Sequence, residues 1–179
     1  MDQLQAWYSA APDFFKCFGV SRGNVLGYTI ALPVPLSAWT ALSLGKLEEQ
    51  DVTGPLVCRG IRTMQSRDEG EVGVHFWHVE RSLAWPSHTE IRFSTVVAEY
   101  IHSLRAQYGV RHFSALTASP AGQALFQRLN FSLAGVYDFV YWDDHKMQVQ
   151  HVCADDGPKF ELDDSHKIIH KCGFMVRRM

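Results

Sequence analysis

A strand–helix–strand pattern between residues 71 and 117 constrains the fold more than any other feature of the sequence. Glu71–Val79 is mostly apolar at both odd and even positions, which is typical of a strand buried inside a sheet. Thr89–Gln107 carries apolar residues at spacings of three and four and is followed by Gly109, so it predicts one long amphipathic helix. Val110–Thr117 predicts the next strand. Two strands joined by a helix are expected to pair in parallel, with the helix covering the sheet.

The N-terminal part of the chain predicts a β-hairpin. Phe14–Val20 and Val25–Leu32 both have strand composition, and Pro33 and Pro35 are predicted to end the second strand. The uncharged stretch Gly23–Gly45 approaches the length of a membrane span, which needs about 20 residues. Its prolines and hydroxyl residues favour a strand, a turn and a helix instead, so no membrane partner is expected.

The remaining predicted elements are shorter. Ser37 is predicted to cap a helix over Ala38–Gln50, an insertion of about residues 37–50 that follows the hairpin. Further strands are predicted over Leu56–Thr63, Leu133–Trp142 and Met147–Ala154, a hairpin turn over Ser66–Gly70, and short helices over Ala121–Leu129 and His166–Lys171. Together these elements predict an α/β (α+β) fold, with a mixed, mostly antiparallel sheet that contains one parallel strand–helix–strand crossover.

Chain length and charge limit the number of domains and the class of partner. The chain has 179 residues, of which 46% are hydrophobic and 20% charged, and its formal net charge is −2. These values predict one globular domain over residues 1–144, with a more polar C-terminal appendage over 145–179 packed on it. A near-neutral chain lacks the basic field of non-specific nucleic-acid binders, so no nucleic-acid partner is expected.

The cysteines indicate the cellular compartment. Cys17, Cys58, Cys153 and Cys172 are widely spaced, and the sequence opens without a basic secretory leader. Reduced thiols and a cytoplasmic protein are therefore expected.

The tail contains a group of potential zinc ligands. Two of them share a face of a predicted strand and two share a face of a predicted helix: His151, Cys153, His166 and His170. Their spacing only partly matches a zinc site, and an ordinary His-rich polar surface is the alternative. The favoured expectation is that the chain binds no metal.

Three segments resemble the GNAT acyltransferase superfamily, and the resemblance covers about Phe14 to Trp142. They are Gly23–Tyr28 (GNVLGY) in the hairpin, Tyr108–Phe113 (YGVRHF) after the long helix, and Ala124–Phe131 (ALFQRLNF) at the last short helix. The resemblance implies a GNAT-like fold and an acyltransferase that uses acetyl-CoA or another acyl-CoA. It also implies a small-molecule or protein amine as the acceptor.

The resemblance further implies a donor site where the central strand meets the long helix. The phosphate loop of the family matches Thr89–Ser94, with Thr89 in place of Arg or Gln and Arg92 in place of a Gly. Amides at the helix N-terminus would bind the pyrophosphate, and the Arg92 guanidinium either blocks that approach or binds the phosphates itself. The implied donor-binding residues are His78, Val79, Thr89, Arg92, Phe93, Ser94 and Phe126.

Acyl transfer to an amine needs a base, because only the neutral amine attacks. His75 on the central strand is the first candidate, and it is then expected to line an open cleft. A hydrogen-bonded core histidine is the alternative. Simple alternation places His75, Trp77 and Val79 on one face of the strand and His78 on the other. Glu80 at the strand end is the second candidate for the base.

Two positions near the last helix complete the predicted site. Ser119 either contacts the donor or caps the helix that starts at Pro120. Phe126 stands where the family often has a Tyr that protonates the leaving thiolate, and Phe has no such proton. Only 13 residues precede the hairpin, so the acceptor site must come from the insertion helix, the tail or a second subunit, which leaves a homodimer open.

Two functions follow from these observations. The favoured one is an acyl-CoA-dependent N-acyltransferase. The alternative is a catalytically silent GNAT-like scaffold that binds a ligand or a protein partner.

Overall fold

The computed structural model describes residues 3–21, 24–58, 71–86, 91–142, 146–150 and 167–179. The strands are β1 (Phe15–Ser21), β2 (Asn24–Pro35), β3 (Val72–Arg81), β4 (His112–Thr117), β5 (Ser132–Trp142), β6 (Lys146–Gln150) and β7 (Lys167–Arg178). The helices are α1 (Gln3–Ala10), α2 (Leu36–Ser43), α3 (Phe93–Tyr108) and α4 (Pro120–Arg128), with short 3-10 turns at Pro12–Phe14, Glu49–Asp51 and Gly54–Leu56.

The seven strands of the described residues form one sheet in the order β1-β2-β3-β4-β7-β5-β6. β3 and β4 pair in parallel, and every other neighbouring pair of described strands is antiparallel. The predicted mixed, mostly antiparallel sheet and its parallel crossover through α3 are therefore confirmed. Within the described part of the chain, none of the helices has the length and apolarity needed to cross a bilayer.

Helices cover the sheet on both sides. Phe76 packs edge-on against Tyr100 of α3, and this side is called the α3 face. Trp77 packs against Trp7 of α1 on the opposite side, called the α1 face. α2 lies on the α1 face as well, where Trp39 fills the space that a side chain at position 73 would need. Both faces of β3 are therefore covered at its N-terminal end, as its apolar sequence predicts.

A β-bulge at Trp77 changes the alternation along β3. Leu32 pairs with His75 and Ile30 pairs with His78, so a step of two residues on β2 matches a step of three on β3. Leu32 and Ile30 lie on one side of β2, which places both histidines on the α1 face. The prediction that His75 and His78 lie on opposite faces is wrong, because simple alternation does not anticipate a bulge.

The prediction that the second strand ends at Leu32, before Pro33, is also wrong, because β2 continues to Pro35. The Pro33 carbonyl accepts a hydrogen bond of 2.8 Å from the Cys58 N–H, on the side away from β3. The Pro33 nitrogen points to that same side, so its missing proton removes no bond to β3. β1 pairs with β2 only as far as Ile30, which leaves this stretch of β2 without a second strand neighbour among the described residues.

The helix predicted over Ala38–Gln50 is shorter than expected. α2 begins at Leu36 without a side-chain cap, so Ser37 is not its N-cap. Gly45 adopts a φ of +65° just past the helix end, and the Lys46 N–H donates to the Ala41 carbonyl over 2.8 Å. This is the closing pattern of a helix that stops at a left-handed glycine.

The C-terminal segment forms a strand instead of the helix predicted over His166–Lys171. Residues 167–171 belong to β7, which pairs with β4 on one side and β5 on the other. Phe174 and Met175 of this strand are buried. So short a segment has only a weak helical tendency, and pairing with both β4 and β5 stabilises it as a strand instead.

Other predicted elements fall partly outside the described residues. The strand predicted over Leu56–Thr63 is absent at positions 57 and 58, which follow a 3-10 turn. Residues 59–63, the hairpin turn Ser66–Gly70 and residues 151–154 lie outside the described part of the chain.

Candidate active site

The parallel pairing of β3 with β4 ends halfway along β3, and the stretch of β3 beyond that point that is not paired with β4 is called the cleft. Their parallel pairing runs from Gly73 opposite His112 to Phe76 opposite Ala115 and then stops. β3 continues to Arg81, still paired with β2, while β4 pairs with β7 on its other side. Beyond Phe76, the backbone groups of β3 that point away from β2 have no strand partner among the described residues. The cleft can therefore hold an extended ligand that hydrogen-bonds like a strand.

α3 begins near the open end of this cleft. Its N-cap is Arg92, which has an extended backbone and no side-chain capping bond, and Phe93 is the first helical residue. The helix thus starts later than the predicted Thr89; Thr89 itself lies outside the described residues. The Arg92 carbonyl accepts from the Thr95 N–H over 2.9 Å, while the amides of Phe93 and Ser94 have no acceptor within the helix. These amides and the exposed Arg92 side chain can bind an anion.

The C-terminal half of β3 carries an exposed polar cluster on the α1 face, formed by Tyr28, His78 and Glu80. The Tyr28 hydroxyl donates to Glu80 Oε2 over 2.9 Å, and His78 Nε2 lies 3.0 Å from the same oxygen. The Tyr28 and His78 rings stack with centroids 5.1 Å apart. The His78 side chain is 40% exposed and that of Glu80 is 54% exposed, so both are open to solvent and to a ligand.

Hydrogen bonds to the shared carboxylate shift two pKa values in this cluster. The pKa of Glu80 lies below its ordinary value, first because His78 donates to it and then because Tyr28 does. Burial, followed by the Glu80 carboxylate, raises the pKa of Tyr28. Tyr28 therefore stays protonated as a donor, and Glu80 stays ionised as an acceptor.

His75 lies in the core, in a chain of three polar groups. Its Nδ1 is 2.8 Å from Ser114 Oγ and its Nε2 is 2.5 Å from Glu49 Oε1. The His75 and Ser114 side chains are fully buried, and the ring stacks on Phe174 at 5.8 Å. A neutral ring satisfies every group when Nε2–H donates to Glu49 and the Ser114 hydroxyl donates to Nδ1. His75 is thus a hydrogen-bonded core histidine, and the expectation that it lines an open cleft is wrong.

Several other predicted site residues have structural partners. Ser119 is the N-cap of α4, since its hydroxyl accepts from the Gly122 N–H over 3.1 Å. Phe126 is buried against Phe76 and Phe131 in the core. Phe93 is buried between Phe18 and Trp85.

Two further predictions depend on the bulge and on the tail. Val79 pairs with Thr29 and lies on the α3 face, so its predicted place beside His75 is wrong. His151, Cys153 and His166 lie outside the described residues, and His170 is on β7, opposite Phe139. His170 is therefore not part of a helix, so the helix face predicted to hold His166 and His170 together does not form at His170. No group of three metal-ligating side chains occurs among the residues that the structure describes.

Three participants in these clusters were missed from the sequence. Tyr28 joins His78 and Glu80 because Tyr28 pairs directly with Glu80 across β2 and β3. Glu49 and Ser114 join His75 through a 3-10 turn and a parallel strand register. His75 and Ser114 are each a polar residue at the centre of an apolar strand, and this was the available sign of a buried polar contact. Nothing in the sequence indicated that Glu49 takes part in it.

Comparisons with other proteins bear on the fold of the chain. No protein-family model matches the chain, and no curated protein sequence matches it either. The fold is similar to that of Naa20 from Chaetomium thermophilum, solved in complex with a bisubstrate analogue, with a TM-score of 0.52 at 14% identity over 98% of this chain and 70% of that one. It is also similar to a mutant of agmatine N-acetyltransferase in its apo form, with a TM-score of 0.54 at 12% identity, over 98% and 82% of the two chains.

A third similar structure is the polyamine N-acetyltransferase of Drosophila melanogaster, an enzyme that catalyses the formation of N-acetylagmatine. It gives a TM-score of 0.54 at 12% identity, over 98% of this chain and 79% of that one. At such identities the likeness concerns the backbone. The chain therefore has the GNAT fold, as the resemblance of its sequence implies.

Proposed function

We propose that this chain is an acyl-CoA-dependent N-acyltransferase acting on a small-molecule or protein amine. The observation that carries the proposal is the cleft between β3 and β4, which opens beyond Phe76 beside the start of α3. A pantetheine arm can hydrogen-bond to the unpaired edge of β3, with its phosphates at the first amides of α3. Acyl-CoA would supply an activated thioester there.

Arg92 and Ser94 are the proposed phosphate contacts. Ser94 lies in the first turn of α3 and contributes an amide without a helical acceptor. Arg92 is exposed at the N-cap and contributes a guanidinium that can form charge-assisted hydrogen bonds. The Gly that the family has at this position would let the backbone come closer to the phosphates. Arg92 would instead contact the phosphates through its side chain.

His78 is the proposed base, oriented by Glu80. It lies beside the bulge on the open half of β3, whereas both nitrogens of His75 are already occupied in the core. With Nε2–H donating to Glu80, Nδ1 keeps its lone pair and can take the proton of the acceptor ammonium. The freed amine would then attack the thioester carbon, and the carbon–sulfur bond would break as the amide forms. The amide nitrogen would lose its extra proton, and the leaving CoA thiolate would take up one proton to give the free thiol.

Binding and turnover measured together test the proposal. Acetyl-CoA should raise the melting temperature of the protein, and transfer to amines should release free CoA thiol. Binding without transfer to any amine would favour the silent scaffold, which is supported by Phe126, a buried ring that has no proton to give to a leaving thiolate. Absence of binding would contradict the acyltransferase proposal.

A substitution of Arg92 tests the placement of the donor. Arg92→Ala should weaken acetyl-CoA binding by about 1.5–3 kcal/mol, the range for a hydrogen bond to a charged group, as measured by calorimetry. The matched control is Arg111→Ala, because Arg111 is an exposed arginine beyond the other end of α3. Equal effects of the two substitutions would indicate only a general loss of positive charge.

A further inference from the structure

An apolar pocket of about 270 Å³ lies beside the first turn of α3. Its walls come from the β1–β2 hairpin and from the segment that joins β3 to α3, and they include Phe18, Leu26, Trp85, Pro86, Ile91 and Val96. The lining is mostly apolar. A pocket of this size is below the usual range for a drug-sized ligand, so it suits one flat ring system.

Trp85 is held in place as one wall of this pocket. Its indole Nε1–H donates to the Ile91 carbonyl over 3.3 Å, and its ring packs edge-on against Phe93 at 5.2 Å. The turn that carries it is fixed by the Trp85 N–H donating to the Ser82 carbonyl and by the Ser82 N–H donating to the Leu26 carbonyl. The aromatic surface therefore exists before any ligand binds.

The position of the pocket limits what can occupy it. Val96, one of its lining residues, is in the first turn of α3, and Ile91 immediately precedes the N-cap Arg92. A ligand whose phosphates lie at the first amides of α3 would have its neighbouring group within reach of the pocket. Among the residues that the structure describes, none of the side chains lining the pocket is charged, which disfavours a further phosphate and favours an uncharged aromatic ring.

We propose that this pocket binds the adenine ring of the acyl-CoA donor against Trp85. The inference rests on the proposed function, which places the donor phosphates at α3. Adenine is the aromatic part of that donor, and ribose joins it to the phosphates. Stacking of a base on a tryptophan suits this site, since the purine contributes a flat face and needs no charged partner.

Two donors that differ in the adenosine part test the inference. S-acetyl-4′-phosphopantetheine keeps the thioester and one phosphate but lacks adenosine. Trp85→Ala should weaken acetyl-CoA binding about 5- to 150-fold, which corresponds to the usual contribution of one stacked base. Binding of the shortened donor should stay within about threefold. The control Trp85→Phe keeps an aromatic wall and should retain most of the affinity for acetyl-CoA, and its melting temperature reports whether the turn is intact.

The two donors also separate the ways in which the inference can fail. Equal losses of both donors in Trp85→Ala would place adenine elsewhere and leave the proposed function intact. If neither donor binds, both proposals fail.

Discussion

The two halves of β3 have opposite environments, although each presents a histidine to the same face of the sheet. His75 is fully buried, with one nitrogen on Ser114 and the other on Glu49. His78 is 40% exposed and has a carboxylate on one nitrogen only among the described contacts. A buried imidazole with both nitrogens hydrogen-bonded stabilises the fold. An exposed imidazole with a described hydrogen-bond partner on one nitrogen can exchange a proton with a ligand. For this reason we assign a structural role to His75 and propose the chemical role for His78.

The largest expected effect is on turnover. His78→Gln should lower the rate of acyl transfer about 10²–10⁴-fold, the usual contribution of a general base, with little change in melting temperature. The matched variant His75→Gln, assayed at a temperature where it is folded, should keep most of the rate. The reverse result, with His75→Gln inactive and His78→Gln active, would assign the base to the buried chain of Glu49, His75 and Ser114.

The second-largest expected effect is on the free energy of unfolding. It should be larger for substitutions at the buried end of β3, around His75, than at its exposed end. His75→Leu should lower the free energy of unfolding by roughly 1–3 kcal/mol, because the Ser114 hydroxyl loses its buried partner. His78→Leu at the exposed end should change it by no more than about 0.5 kcal/mol. Urea denaturation measures both values.

A double variant distinguishes hydrogen bonding from packing at the same place. Adding Ser114→Ala to His75→Leu removes the orphaned hydroxyl, so the double variant should be less destabilised than the sum of the two single variants. Additive losses would indicate that packing of the His75 ring on Phe174, and not the polar chain, stabilises this end of β3.

The smallest effect concerns the titration of Glu80. Its pKa is depressed by His78 first and Tyr28 second, so His78→Gln should raise that pKa more than Tyr28→Phe does. A depressed pKa means that the ionised carboxylate stabilises the folded state above the unfolded pKa, and that this contribution is lost as pH falls through the folded pKa. Carboxyl NMR shifts followed against pH measure the midpoint. A larger rise in Tyr28→Phe would show that the tyrosine dominates the cluster.

Local patterns were sufficient to predict most of the fold. The apolar stripe of α3 and its stop at Gly109 were correct, since the glycine adopts a φ of +70° and its N–H donates to the Arg105 carbonyl. The hairpin of β1 and β2 and the parallel pairing of β3 with β4 were also correct. These features depend on periodicity and on chain connectivity, both of which are written in the sequence.

The errors arose where distant segments decide the local structure. The bulge at Trp77 depends on the register between β2 and β3, and it reverses which residues accompany His75. β7 is a strand because β4 and β5 leave a place between them. The sequence predicts His78 and Glu80 as separate site residues. Their meeting on one face with Tyr28 follows from that register and could not be read from alternation.

The position of β7 has a consequence for how the chain reaches its folded state. β4 pairs with β3 on one side and with the far C-terminal segment on the other, so its second edge stays open until residues 167–178 have been synthesised and have found it. Pairings between such distant segments are slow to form, because a long loop must close first. During that interval β4 presents an unpaired edge that can bind another chain. β7 therefore shields this edge of β4 from self-association.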